Sequence, residues 1–336
     1  MELTLFLYLK NDMKKNKILI TGGLGFIGTH CVELWEELGY EITIIDNLSS
    51  NALPKEHRIF NNCNIIINNL LDVDYKTLND FDLILHLASP VGPVGVLKHS
   101  GQMASIIIDD IYWAINVAKH NNAPLIFVST SEVYGHRDKK TYLKENDYKK
   151  LTGDYTVRNE YSVAKLLSEI AIANNGKIDE SFRYQIIRPF NVTGEYQLPD
   201  GGFVLPRFVE QALKGDDITV YYDGLQIRAF TWVKDIVNGI YLTTQAPNEF
   251  WNQEWNIGNE SNEETILYLA EKVKSMSNSN SNIVHVDPIL LHGKLFSEAP
   301  EKIPNSEKIK SKLGWTPTKG IDEIIQEVLN YYQKTC

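Results

Sequence analysis

The chain is poor in cysteine. It has three in 336 residues, Cys31, Cys63 and Cys336, with no CxxC pair and no metal-ligand spacing. A disulfide framework is excluded, and an odd, unpatterned set points to a reducing compartment, the cytoplasm. No basic block is present either. Lys and Arg number 33 against 43 Asp and Glu, a net charge of −10. General nucleic-acid binding needs a cationic surface, so that class is set aside. No apolar run approaches the roughly 20 residues that cross a bilayer, so no membrane association is expected. The apolar start, MELTLFLYL, is short and lacks both a basic lead and a small-residue cleavage site, which argues against a signal peptide. Met13, before Lys14 and Lys15, is a more natural beginning, and residues 1–12 are read as an extension without function. Repeats of 20–50 residues are absent. What remains is the composition of an ordinary globular protein, 43% hydrophobic and 23% charged, with length for about two domains.

The first half alternates β-branched runs with helical stretches, the pattern of a parallel sheet flanked by helices. Strands are predicted at 17–21, 41–45, 64–67, 82–86, 124–129 and 184–188. Helices are predicted at 29–38, up to about 120, and at 159–174. Beyond Asn191 the rhythm changes. Gly and Pro become frequent, as in Pro199-Asp200-Gly201-Gly202, and helices mix with short strands. The expected fold is α/β. A Rossmann-type doubly wound parallel sheet spans 13–190, and a smaller mixed α/β substrate lobe spans 191–336. Residues near 232–260 are expected to return to the first domain. The polar run Ser275 to Ser281 reads as a surface loop.

Three motifs carry chemistry. After the first strand comes Thr21-Gly-Gly-Leu-Gly-Phe-Ile-Gly28, with Gly22, Gly25 and Gly28 at GxxGxxG spacing. Glycines let the backbone turn tightly and approach a pyrophosphate, and the helix that follows offers free N–H groups and its positive dipole end. Asp46 lies 18 residues after Gly28, at the end of strand two. A carboxylate there accepts from both ribose hydroxyls and repels a 2′-phosphate, favouring NAD over NADP. The second motif is Tyr161-Ser-Val-Ala-Lys165. Residues i and i+4 share a helix face, and an ammonium beside a phenol lowers its pKa so that the tyrosinate can act as a base. The third is Ser129-Thr-Ser-Glu-Val-Tyr-Gly135, at the carboxyl end of strand five, where ligands bind in open parallel sheets. It offers the Thr130 hydroxyl and the Glu132 carboxylate.

In this order the motifs resemble the extended short-chain dehydrogenase/reductase family that modifies sugar nucleotides, over about Lys17 to Tyr332. The resemblance implies an NAD-binding first domain touching Phe26, Ile27, Asn47, Leu70, Leu87, Ala88 and Ser89 as well as the glycines and Asp46. His86-Leu-Ala-Ser89 resembles the segment beside the nicotinamide ribose. Arg188-Pro-Phe-Asn191 resembles the motif whose Asn191 faces the substrate. Val204 belongs to the same substrate wall. Asp223 to Phe230 resembles the diphosphate motif, with Arg228 as the phosphate contact. Ile218-Thr-Val-Tyr221 resembles the strand along a uracil, with Tyr221 packing on the base, so a UDP-sugar is the expected partner. Leu313-Gly-Trp-Thr-Pro317 resembles the C-terminal signature. Three positions depart from the pattern. Asn69 stands where an Asp meets adenine, and Lys302 where an Arg meets the nucleotide. Asp110 differs in the helix before strand five. The Gly/Pro-rich Ser89 to Val96 is expected to form part of the active-site wall.

The family begins alike: Tyr161 takes a hydroxyl proton, usually at C4, Lys165 tunes the phenol, and Thr130 positions the hydroxyl. A 4,6-dehydratase needs a carboxylic acid where this chain has Ser131, and a serine hydroxyl is too weak an acid. A decarboxylase needs none, because a C4 ketone turns a uronic acid into a β-keto acid. Thr130-Ser131-Glu132 resembles the triplet of UDP-glucuronate decarboxylases. Arg158, three residues before Tyr161, sits as their Arg does and offers a guanidinium to a carboxylate. Decarboxylation of a UDP-uronic acid for polysaccharide biosynthesis is the first expectation. The 4,6-dehydratase and C4-epimerase are the alternatives, and a non-catalytic NAD-binding regulator is the remote one. No metal is expected. The helix at 159–174 carries Val163, Leu166, Leu167, Ile170 and Ala171 on one side, and the resemblance implies a homodimer through a four-helix bundle.

Overall fold

A computed structural model describes residues 16–51, 53–137, 140–150, 155–298 and 301–335. Residues 1–12 and Cys336 lie outside the described residues. The centre is a seven-stranded sheet of β1 (Lys17–Thr21), β2 (Glu41–Asp46), β3 (Asn64–Ile67), β4 (Leu83–His86), β5 (Leu125–Val128), β6 (Tyr184–Pro189) and β7 (Gln253–Ile257). Its order is β7-β6-β5-β4-β1-β2-β3, and every pair is parallel. Parallel strands are covered on both faces, which is why β1, β4 and β5 are almost wholly buried apolar runs.

Two apolar layers flank the sheet. One packs α1 (Phe26–Glu37) and α6 (Val233–Thr244) on it, around Trp35, Ile240 and Trp315. The other uses α3 (Met103–Asn121) and α4 (Val157–Ile178), with Ile111, Phe127 and Ile172 between them. A third core lies away from the sheet. It joins α5 (Val204–Lys214), α7 (Ile266–Met276) and α8 (Ile321–Thr335) to the short strand Ile218–Tyr221. The order of β4-β1-β2 reverses direction beside β1, so the carboxyl ends of β1 and β4 open a crevice there.

Two helices differ from their expected bounds. Helix α1 starts at Phe26, one turn early, because Gly25 is its extended N-cap and Thr29 N–H already closes on Gly25 O at 2.9 Å. Helix α4 runs from Val157, where the Thr156 hydroxyl caps Asn159 N–H, to Ile178. The C-terminal signature is structural. Trp315 is fully buried and its indole donates to Asp235 O at 2.8 Å, while Asp235 Oδ1 accepts from the Thr318 hydroxyl. No described helix is long and apolar enough to cross a membrane.

Candidate active site

A cavity of about 860 Å³ runs from the glycine turn, along the carboxyl ends of the strands, to the third core. At one end the turn is built by steric necessity. Gly22 has φ +69 and its N–H donates to Ile45 O at 2.8 Å. A Cβ on Gly22 would sit 2.7 Å from Ala88 N, and one on Gly28 only 2.0 Å from Gly22 O. Gly25 is different: a Cβ there meets only Gly22 O, at 3.3 Å. Its far side faces the cavity that Phe26 and Ile27 also line, the place a pyrophosphate needs. Asp46 closes the rim. Its Oδ2 accepts from Leu24 N–H at 3.0 Å and its Oδ1 from Leu48 N–H at 2.8 Å. Asn47 donates to Asn69 Oδ1 at 3.0 Å, so the Asn69 carbonyl already has one partner. Leu70, Leu87, Ala88 and Ser89 continue this wall. The turn and carboxylate fit the adenosine diphosphate half of NAD.

Midway, the strand-five loop meets α4. Thr130, Glu132, Arg158, Tyr161 and Lys165 all line the cavity. Lys165 is 2% exposed; its ammonium donates to Val128 O at 3.2 Å and lies 4.8 Å from the Phe127 ring centre. Burial lowers its pKa to about 8 against the pull of Asp110 and Glu169. The expected lowering of the phenol by this lysine is not what the structure holds. Burial drives the Tyr161 phenol well above its ordinary value. The Thr130 hydroxyl and the Arg158 charge offset only part of that, and Glu132 adds to it.

Glu132 anchors a cluster of charge. Its Oε1 pairs with Arg158 Nη1 at 3.1 Å and, still closer, with Lys302 Nζ. Burial alone would raise this carboxyl, but Lys302 and then Arg158 hold it at about 2. Lys302 was expected at the nucleotide. It is instead 3% exposed and turned onto Glu132, and it does not line the cavity, because the backbone around Ile303 pairs with Tyr142–Leu143 and directs it there. Arg158 Nε also donates to Ser297 O at 3.0 Å.

At the far end, Asn191, Val204, Tyr221 and Arg228 line the cavity. Asn191 has φ +36, a backbone region Asn tolerates, and its buried Nδ2 has no hydrogen-bond partner. That orphan donor is a ready contact for a ligand. Tyr221 differs from expectation. The Arg207 guanidinium lies over its ring at 4.0 Å and its hydroxyl meets His292 Nε2 at 2.7 Å, so one ring face is already covered. Arg228 pairs with Glu298 at 2.8 Å. Arg207, Phe296 and Glu298 were not singled out by sequence. Arg207 sits one turn into α5 beside Val204, a spacing that could have flagged it; Phe296 and Glu298 arrive on a loop with no motif. The Gly/Pro-rich segment forms α2 (Gly92–Lys98), with Val96 packed on the cluster around Tyr161. No group of residues that could hold a metal occurs among the described residues.

The profile of the NAD dependent epimerase/dehydratase family matches residues 18–258. The UDP-N-acetyl-alpha-D-glucosaminuronate decarboxylase of Bacillus cytotoxicus is 32% identical over 327 residues, covering 95% of this chain and 98% of that protein. The UDP-glucuronic acid decarboxylase 1 of Danio rerio is 30% identical over 325 residues, covering 96% and 74%. Among solved structures, the UDP-glucose 4-epimerase of Thermotoga maritima, crystallised with UDP-glucose, superposes with a TM-score of 0.83 at 25% identity, covering 95% of this chain and 99% of that one.

Proposed function

The chain belongs to the NAD-dependent epimerase/dehydratase family, and within it we propose that this protein decarboxylates a UDP-linked uronic acid by transient oxidation at C4. One observation carries the reading: Glu132 is fixed as an anion by Arg158 and Lys302 on the wall that Tyr161 shares. A carboxyl held at about 2 cannot give a proton to a departing C6 hydroxyl at neutral pH, and its neighbour is the buried Ser131. The acid that dehydration requires is missing. Decarboxylation requires only that the carboxylate be held while C4 is a ketone.

NAD, which the glycine turn and Asp46 would hold, would supply the hydride acceptor and donor for C4. The chain's residues do the rest. Tyr161, as its phenolate, takes the C4 hydroxyl proton and Thr130 steers that hydroxyl; Lys165, a cation lining the same cavity, is assigned to offset in the loaded site the burial that opposes the phenolate. Arg158 spends Nη1 on Glu132 and Nε on Ser297 O, and Nη2, which has no partner among the described residues, is assigned to a substrate carboxylate. The C5–C6 bond then breaks, CO2 leaves, and the electron pair rests in the C4 enolate. One solvent proton goes to C5 and Tyr161 returns its proton to the C4 oxygen. The balance is one carboxylate plus one proton giving one C–H and one CO2. Arg228 and Asn191 are assigned to the diphosphate and sugar end, and Lys302 to holding Glu132.

Arg158→Ala tests this. Affinity for a UDP-uronic acid should fall roughly 10-fold or more, the worth of a charge-assisted contact, while that for the neutral UDP-hexose changes little. Equal losses would sink the carboxylate assignment. We also infer a cytoplasmic homodimer. Val163, Leu167 and Ile170 on α4 are 41%, 48% and 48% exposed, an apolar face that a second copy would cover.

A further inference from the structure

The two cations expected at the nucleotide are already engaged. Lys302 is turned onto Glu132 and does not line the cavity. Arg228 pairs with Glu298 at 2.8 Å and spends Nη1 on Ile227 O at 2.8 Å. Arg207 is the contrast at the same end of the cavity. It stands on α5 with its guanidinium over the Tyr221 ring, 4.0 Å from the ring centre. Its Nη2 donates to Thr219 O at 3.1 Å, and Thr219 is itself fixed by Gln211, whose Oε1 accepts from Thr219 N–H at 3.0 Å. Stack and hydrogen bond hold the guanidinium in place without any ligand. Its Nε and Nη1 are buried and have no hydrogen-bond partner. It forms no ion pair among the described residues. Burial works against its charge, and Tyr221 and then Glu298 offset only part of that.

A guanidinium with orphan buried donors costs stability twice, through its charge and through its unmade hydrogen bonds. A ligand that removes both costs is an anion with several acceptor oxygens. Uracil and ribose offer acceptors without charge. A diphosphate offers both, and guanidinium–phosphate bonds are among the stronger ones proteins make. We propose that Arg207 holds the diphosphate of the substrate, a specificity-determining contact that lies outside the motif Asp223 to Phe230. This rests on the reading of the substrate as a UDP-sugar. On this assignment the covered face of Tyr221 serves Arg207 and not a uracil. Arg228, its charge shared with Glu298, is the lesser contact of the two.

The test is Arg207→Met in the NAD-loaded protein, titrated by calorimetry with UDP and with uridine. The ratio of UDP to uridine affinity should fall roughly 10- to 100-fold, the worth of hydrogen bonds between charged partners. An unchanged ratio in a folded variant overturns the proposal, whether both affinities hold or both fall together. A second measurement uses the parent protein with ¹⁵N-labelled arginine. The Nε–H resonance that is lost in Arg207→Lys should move when UDP is added and stay when uridine is added. A resonance that ignores UDP, or that answers both ligands equally, overturns the proposal even where Arg207→Met does not fold. A parent that binds no UDP overturns it together with the nucleotide reading. UDP binding that depends on Arg207, in a protein that releases no CO2 from a UDP-uronic acid, supports it, and the decarboxylation reading alone then fails.

Discussion

Tyr161 and Glu132 sit on one wall of the cavity, and the same burial acts on them with opposite outcomes. The phenol has only a hydroxyl and a distant guanidinium to offset burial, so its pKa rises. The carboxyl has two cations in contact, so its pKa falls. Tyr161→Phe should lower turnover roughly 10²- to 10⁴-fold, the range for a lost general base, with NAD affinity, measured by titration calorimetry, nearly unchanged. Glu132 also gives a pH prediction. Its folded pKa lies below its unfolded one, so its contribution to stability is full above about 4.5 and is lost as pH falls toward about 2. Glu132→Gln should therefore flatten the fall in melting temperature over that window. It should also destabilise the fold at pH 7, by roughly 3 kcal/mol if the buried Lys302 is left without its anion. Unchanged acid sensitivity would show that Glu132 is not held as described. The sequence made Tyr161, Lys165, Thr130 and Glu132 visible because motif spacing is local. It could not show that Lys302, 170 positions away, closes on Glu132. That contact depends on the pairing of residues 303–304 with residues 142–143.

Among the elements, the glycine turn separates two reasons for having no side chain. Gly28 is needed by the fold, since a Cβ would strike Gly22 O, whereas Gly25 leaves its space to a ligand. Gly25→Ala should keep its melting temperature within about 2 °C, as a tolerated surface-like change does, yet weaken NAD binding roughly 10-fold or more. Gly28→Ala should lose both, by thermal melt and NAD titration. If Gly25→Ala binds NAD normally, the turn is not the pyrophosphate seat. Strands β1, β4 and β5 were legible because buried parallel strands are uninterrupted apolar runs. Strand β7 was not, since Gln253, Glu254 and Asn256 break its pattern. It is an edge strand, and the fully buried Asn256 works sideways, accepting from the Tyr134 hydroxyl at 2.7 Å and donating to Leu143 O at 2.8 Å. Propensity sees a poor strand former where the fold needs a polar clasp.

For the whole molecule, the cavity joins two structural units, a parallel sheet that seats a dinucleotide and a third core that supplies Arg207, Tyr221 and Arg228. The exposed apolar face of α4 belongs to the helix that carries Tyr161 and Lys165, so association would brace the reacting pair. Leu167→Asp should convert the predicted dimer to a particle near 38.3 kDa by light scattering; a parent protein already at that mass would refute the dimer. The central claim concerns what the assembled site does. The direct measurement is incubation of the NAD-loaded protein with a UDP-uronic acid labelled with ¹³C at C6. The account predicts labelled CO2 equal to the pentose nucleotide formed, with no lasting NADH. Label retained in a C4 epimer, or in a product that has lost water, would contradict it.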